Sequence, residues 1–246
     1  MGHSLHGAPL PAGSATTGAV ALSQQLLRAV RAGQGTAEFE ALATLSEGDL
    51  RRSLATDADK LAFWINVYNA GIQRVLAESP DRYSRRLRFF STFGVEVAGH
   101  HLTFNAIEHG MLRRSMFAFS LGYMANPFPG RFERAFRLQR RDPRVHFALN
   151  CGAASCPPIA FYDPALIDAQ LDLAAHSYLD TTTSYDPATN TVTVTRLFLW
   201  FRGDFGGPAG IRRLLARYEQ IPPGSAPRLH FAPYDWTLSL DNYAPG

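Results

Sequence analysis

Lysine is nearly missing from this 246-residue chain: Lys60 is the only one, and the other 23 of its 24 basic residues are arginines. That bias fits a GC-rich genome better than nucleic-acid binding. The 21 acidic residues bring the net charge to +3, so no chain-wide positive field exists and no nucleic-acid partner is expected. Cysteine is almost as scarce. Two thiols, Cys151 and Cys156, are too few for a disulfide scaffold or a four-thiolate zinc site. Long apolar runs are absent too. The best candidates, such as residues 197–201, fall far short of the roughly 18 residues of a membrane span. Charge is sparse at 18%, against roughly 25% in an ordinary soluble domain. With 46% hydrophobic residues and 12% aromatics, the composition excludes disorder over most of the chain, because there is ample apolar surface to offset chain entropy.

Residues 1–17 are rich in Gly, Ala, Ser, Thr, Pro and His without periodicity. They read as a disordered leader or an expression scar rather than a secretory signal. Residues 18–246 contain no internal repeat and are expected to form one α+β domain, with helices packed around a mainly antiparallel sheet. Helices are expected at 19–31, 37–43 and 47–54. The longest, 58–78, is capped by Thr56 or Asp57 and ends before Pro80. It carries Leu61, Trp64, Ile65, Tyr68, Ile72, Val75 and Leu76 on one face, with Asn66, Asn69 and Gln73 on another. A helix apolar or amide-bearing nearly all round belongs at the centre of a fold, and its amides must be hydrogen-bonded there.

Residues 94–104 read as a hairpin turning at Ala98-Gly99, followed by a helix from Asn105 to about 114 with Glu108 at the capping-box position. Arg131, Arg134, Arg137, Arg140, Arg141 and Arg144 have near-helical spacing. They form either one solvated face or a surface for acidic substrates. Residues 145–149 read as a strand leading to the loop 150–158, Asp163-Pro164 opens a helix to about 179, and 191–195 alternates as a strand. Pro208 opens the last helix, and a final strand covers 229–231.

Three segments carry candidate chemistry. In Leu149-Asn150-Cys151-Gly152-Ala153-Ala154-Ser155-Cys156-Pro157, small residues leave backbone amides uncovered beside a thiol. Such amides lower a thiol pKa and can stabilise an oxyanion. Cys156 precedes a proline that lacks an amide hydrogen, so Cys151 is the better nucleophile. The plainer alternative is a pair of buried structural thiols, bridged or free. The second segment offers His109 as a base and Glu108 as a carboxylate to orient an imidazole. Glu108 points away from its neighbour on a regular helix, so it is better placed to serve His146; helix capping is its plainer role. His146 is the third candidate. On an extended strand it lies on the opposite face from Cys151, so pairing them requires a turn or bulge. A zinc site built from His109, His146, Cys151 and Cys156 matches no usual ligand spacing, and neither a metal nor another cofactor is expected.

Together these segments resemble the domain-of-unknown-function 547 (DUF547) family. The resemblance rests on residues 60–70 (KLAFWINVYNA), residues 107–113 (IEHGMLR), and residues 142–149 followed by Cys151-Gly152 and Ser155-Cys156-Pro157-Pro158. Asp204-Phe205 and Tyr234-Asp235-Trp236 fit a weaker C-terminal pattern, in which Ser239 replaces the usual asparagine. The resemblance implies bacterial relatives that are often exported, which favours a periplasmic or secreted protein over a cytoplasmic one, and plant relatives carrying a leucine-zipper region. It implies no established activity. Its Cys, His and acidic motifs invite comparison with papain-like and transglutaminase-like thiol enzymes, with altered topology because both histidines precede Cys151.

The leading expectation is a thiol-dependent hydrolase or acyl/amide transferase acting on a peptide-like or glutathione-like small substrate. Cys151 attacks a carbonyl, His109 or His146 acts as base and Glu108 orients an imidazole. Backbone and side chains at Gly152, Ser155 and Cys156, or the amides of Asn66 and Asn69, hold substrate and oxyanion. The alternative is a non-catalytic interaction module whose polar motif residues form a structural network.

Overall fold

The computed structural model describes residues 18–245. The leader expected at 1–17 lies outside them. The chain begins with four helices, α1 (Ala19–Arg31), α2 (Thr36–Thr44), α3 (Glu47–Ser53) and α4 (Asp57–Glu78). A 3-10 turn (Pro80–Arg85) leads into α5 (Arg86–Thr92). Next come the hairpin β1 (Gly94–Val97) and β2 (His100–Thr103), a π-helix (Ala106–Leu112), α6 (Arg131–Phe136) and a second 3-10 turn (Pro143–Phe147). The last part contains α7 (Ile167–Thr182), β3 (Ser184–Asp186), β4 (Thr191–Val194), α8 (Leu197–Trp200), α9 (Gly207–Arg217) and β5 (Arg228–Phe231). The fold is α+β, as expected. β1 and β2 pair antiparallel, as do β3 and β4, whereas β4 and β5 are parallel.

α4 organises the molecule. Thr56 and Asp59 form a reciprocal capping box at its start, fixing the first turn. From Lys60 to Gln73 every residue is buried. Gly71 is needed where the hairpin crosses the helix, since a Cβ there would lie 2.6 Å from Val95 and 2.9 Å from Phe104. The polar groups of α4 reach out and grip later segments of chain. Lys60 Nζ donates to the Arg137 carbonyl and Trp64 Nε1 to the Phe136 carbonyl, each at 3.0 Å. Asn66 donates to the Tyr162 carbonyl (2.9 Å) and accepts from the Tyr162 N–H (3.0 Å), as a neighbouring strand would. Asn69 does the same for the Ala148 carbonyl and the Asn150 N–H. Gln73 accepts from the Asp241 N–H at 2.9 Å. Four distant stretches are thereby docked on one helix.

Asn66 and Asn69 are therefore not oxyanion donors. Both of their bonded atoms are committed to buried backbone. Asn69→Ala would leave the Ala148 carbonyl and the Asn150 N–H unpaired, and is expected to cost about 2–4 kcal/mol. Urea unfolding checks this; a loss below about 1 kcal/mol would mean water replaces the amide.

The two grips by Lys60 and Trp64 also explain why the arginine-rich stretch is not one helix. α6 ends at Phe136, and Arg137 is already extended. Arg137 then donates to Ser115 Oγ (2.6 Å), Arg141 to Asp204 (2.7 Å), and Arg144 to Asp142, Asp168 and Asp172. The spacing that suggested a shared helical face is incidental.

Candidate active site

The stretch expected as a strand at 145–149 is a correction: residues 143–147 form a 3-10 turn. Asp142 accepts the Arg144 N–H at 2.9 Å and Pro143 supplies the first-turn backbone angle, so the local chemistry nucleates a turn. The turn aims His146 and Phe147 into the interior. The loop after it bends sharply at Gly152, whose φ of +88° is left-handed and whose Cβ would lie 2.8 Å from Leu76. Asn150 ties that bend, accepting from the Gly152 N–H and donating to the Pro157 carbonyl, each at 2.9 Å.

The bend brings the two thiols face to face. Cys151 Sγ and Cys156 Sγ are 2.9 Å apart, unbridged, with Cys156 buried and Cys151 half-buried. Cys156 Sγ accepts the Cys151 N–H at 3.1 Å and the Tyr234 hydroxyl at 3.3 Å. Burial opposes ionisation of Cys156, but the hydrogen bonds from Cys151, Tyr234 and the Cys151 and Ala153 amides outweigh it and lower its pKa. Cys151 moves the other way, raised by its hydrogen bond to Cys156 and by burial. The two thiols therefore titrate as a coupled pair, in which Cys156 is the more readily ionised sulfur. Tyr234, raised far above an ordinary tyrosine by burial and by both thiols, keeps its proton and remains a donor. Tyr83 is also raised by burial and by the thiols; its buried hydroxyl makes no well-formed hydrogen bond. Trp200, Tyr234 and Trp236 form a half-buried aromatic cluster alongside, with Arg86 over the Trp236 ring at 4.9 Å.

The histidines belong to a second cluster. Residues 106–112 form a π-helix, not the α-helix expected; the Arg113 N–H bonds to the Glu108 carbonyl and the Ser115 N–H to that of Gly110. Such helices are rare and recur at functional sites. Asn105 caps nothing, since Thr103 Oγ1 takes the Ala106 N–H instead. Glu108 is not a capping group either. Its carboxylate lies 3.7 Å from His109 Nδ1 and accepts from the Tyr68 hydroxyl at 3.3 Å. His109 Nδ1 accepts from Arg113 Nη1 at 2.7 Å, which places the ring's own proton on Nε2. His146 Nε2 donates to Asp204 at 2.9 Å, and Arg113 Nε donates to the same carboxylate at 2.6 Å. The His146 ring stacks on Phe201 at 3.9 Å.

Neither imidazole is hydrogen-bonded to a thiol, so the expected triad of Cys151, a histidine and Glu108 is not assembled by direct contact. His146 takes its carboxylate from Asp204, not from Glu108. Tyr68 stands between the clusters: burial raises its pKa, and both Glu108 and the two thiols add to the rise. The loop amides are largely spent as well. The Gly152 N–H goes to Asn150, the Ser155 N–H to the Asp235 carbonyl and the Cys156 N–H to the Ala153 carbonyl. Ser155 Oγ accepts from the Asp235 N–H at 2.8 Å, pinning the C-terminal segment over the loop. Gly152 and Ser155 therefore shape the site and do not offer oxyanion donors; the Ala153 amide faces the sulfurs instead. Among the described residues no group of three His, Cys, Asp or Glu side chains is placed to hold a metal ion, so the four-ligand set of His109, His146, Cys151 and Cys156 is not gathered. A cavity of about 490 Å³ lined by Arg141, Arg144, Asp168 and Asp172 contains neither thiol nor either imidazole.

Residue types and spacing did not single out Asp204, Arg113, Tyr68, Tyr83 and Tyr234 as site residues. Tyr68 lies in the first motif, Arg113 closes the second, and Asp204 and Tyr234 fall in the weaker C-terminal pattern; for Tyr83 there is no such signal. A family described as "Protein of unknown function, DUF547" matches residues 52–179, just over half of the chain and including both thiols, Glu108 and both histidines. The chain belongs to the DUF547 family. No curated protein and no solved structure matches it. The DUF547 match stops before Asp204 and Tyr234, so the side chains completing both clusters come from the C-terminal part of the fold.

The second cluster makes stability depend on pH. Burial lowers the His146 pKa despite Asp204, and lowers the His109 pKa despite Glu108, so both rings are neutral in the fold. Burial alone would raise Asp204, but the hydrogen bond from His146, with the hydrogen bond and charge of Arg113, holds its carboxyl well below the usual range. Below about pH 6.5 the unfolded chain takes up histidine protons the fold refuses, and below about pH 4 it takes up the Asp204 proton as well. Both effects remove stability on acidification. The urea midpoint is expected to fall between pH 7.5 and 5.5, and again by pH 3.5; a flat profile from 7.5 to 5.5 would contradict neutral buried rings.

Proposed function

We propose that the protein is a thiol-dependent hydrolase or acyl/amide transferase for a peptide-like or glutathione-like substrate, working from a dithiol and not from a Cys–His pair. The observation that carries this reading is the 2.9 Å contact between half-buried Cys151 and a Cys156 sulfur supplied with hydrogen-bond donors. Cys151 is the sulfur a substrate can reach. Its attack on a carbonyl forms the C–S bond while its proton passes to the Cys156 thiolate. The oxyanion meets the Ala153 amide and the Tyr234 hydroxyl, two donors facing the sulfurs. Collapse expels the amine or alkoxide, which takes the proton back from Cys156, and water or an acceptor amine then cleaves the thioester. The aromatic cluster of Trp200, Tyr234 and Trp236 suits an apolar part of the substrate, and Arg86 suits a carboxylate. On this reading the likeness to papain-like and transglutaminase-like enzymes is one of chemistry, not of topology.

The interaction-module reading draws on the second cluster, in which Arg113, His146 and Asp204 satisfy one another internally and resemble a structural network. Reactivity separates the two. Iodoacetamide labelling followed against pH is expected to give a first apparent thiol pKa below the ordinary 8.5, moving up in Cys156→Ala and lowering the rate at pH 7 by about tenfold or more. Thiols that stay unlabelled until denaturant is added would support the module and end the enzyme proposal.

A further inference from the structure

Six of the large hydrophobic side chains exposed on the surface come from one stretch of twelve residues: Phe117, Phe119, Leu121, Tyr123, Met124 and Phe128. Phe119 is 82% exposed and Phe128 86%. A monomeric soluble protein seldom displays so much apolar surface in one place without a use for it. The stretch is built, not loose. Met116 and Ala125 form an antiparallel bridge, and the Phe117 N–H bonds to the Met124 carbonyl at 3.0 Å. Its tip is fastened to the body by the Gly203 N–H on the Leu121 carbonyl (2.7 Å) and by Arg141 on the Gly122 carbonyl (3.1 Å). Arg114, Ser115 and Leu121 all have left-handed backbone angles, with φ between 53° and 64°. Residues that pay that conformational cost are being held in place by their surroundings. The loop therefore cannot fold its phenylalanines back onto the core.

Along the chain on either side of this loop, basic residues far outnumber acidic ones. From residue 114 to 141 there are six arginines and a single acid, Glu133. Glu133 is half-buried against Gly110. Arg114, Arg131, Arg134 and Arg140 are exposed and, among the described residues, make no ion pair, in contrast to Arg113, Arg141 and Arg144. Phenylalanine, leucine, methionine and tyrosine presented on a tied-down loop, with exposed arginines flanking it in the chain, match the two layers of an anionic lipid surface, acyl chains below and phosphate headgroups above. We propose that the loop 117–128 docks this protein onto anionic membranes, the aromatic tip entering the interface and the four arginines meeting the headgroups. No helix among the described residues is long and apolar enough to cross a membrane. The proposal is independent of the thiol chemistry.

Vesicle flotation tests it with the full chain and two lipid compositions, pure phosphatidylcholine and phosphatidylcholine with 30% phosphatidylglycerol. Binding to the anionic vesicles is expected, weakening as salt is raised, with little binding to the neutral ones. Arg131→Glu with Arg134→Glu should weaken it by at least fivefold per site. Phe119→Ser with Phe128→Ser should weaken it by more than tenfold at unchanged melting temperature, because both rings are solvent-exposed. Absence of binding to anionic vesicles at low salt would overturn the proposal. So would binding that the phenylalanine changes leave intact, or a concentration-dependent oligomer that those changes dissolve, which would assign the patch to a protein contact.

Discussion

Replacing Cys151 with alanine is expected to abolish covalent labelling by a thiol-directed acyl probe, lowering the rate by at least a hundredfold, while thermal stability stays within about 1–2 kcal/mol of the parent. The two halves of this expectation come from the same geometry. Cys151 is half-buried, so it is the sulfur a reagent meets first, and its removal opens only a small gap at the edge of the core. Cys156 is buried behind it and cannot form the adduct in its place without displacing Tyr234. Cys156→Ala should behave differently, retaining labelling at Cys151 with a slower rate near neutral pH, because the proton acceptor is gone. Mass spectrometry of the intact labelled chain separates these outcomes. Labelling that survives in Cys151→Ala and vanishes in Cys156→Ala would transfer the nucleophile's role to Cys156, the sulfur whose pKa is the lower.

The second large effect concerns Asp204. Asp204→Ala is expected to destabilise the protein by about 3–5 kcal/mol, against a total of only about 5–15 kcal/mol for an ordinary domain. Its carboxylate takes hydrogen bonds from Arg113, His146 and Arg141 at 2.6, 2.9 and 2.7 Å. Arg113 is 1% exposed, and one of its terminal nitrogens has no hydrogen-bond partner among the described residues. Without Asp204 that guanidinium keeps its bond to His109 and the face of Phe201 at 4.6 Å, neither of which carries a counter-charge. Asp204→Asn preserves shape and one acceptor and should lose less. Urea unfolding of both variants tests the point, and a loss under about 1 kcal/mol in the alanine variant would show that water reaches Arg113.

The thiol pair and the buried ion cluster differ in how far they could be read in advance. Cys151 and Cys156 stand five residues apart with Gly152 between them, so their proximity is local and the motif announces it. The partner of His146 is not local, nor is that of Tyr68. His146 finds Asp204, 58 residues later, and Tyr68 finds Glu108 across 40. Nothing in periodicity marks such pairs, because each depends on where several elements come to rest. The amides of Asn66 and Asn69 are legible in the sequence as buried and bonded, but their partners are not, because the backbone they hold lies 79 to 96 residues away.

Boundaries of elements followed the same division. Helices at 19–31 and 58–78 could be read from residue pattern and caps, since the apolar period and a cap at Thr56 act within a few residues of one another; the structure starts the second at Asp57. Residues 145–149 and the arginine-rich stretch could not, since a capped Asp-Pro turn overrode the strand pattern and grips from Lys60 and Trp64 cut the helix at Phe136. By itself, then, the order of residues determined family, α+β class, the central helix and the nearness of the two thiols. Tertiary structure alone decided which carboxylate serves which imidazole, that neither ring is bonded to a sulfur, and that the aromatic loop stands out in solvent. The reason is physical: short-range propensities act through neighbours in the chain, while a buried charge must find its partner wherever packing puts one.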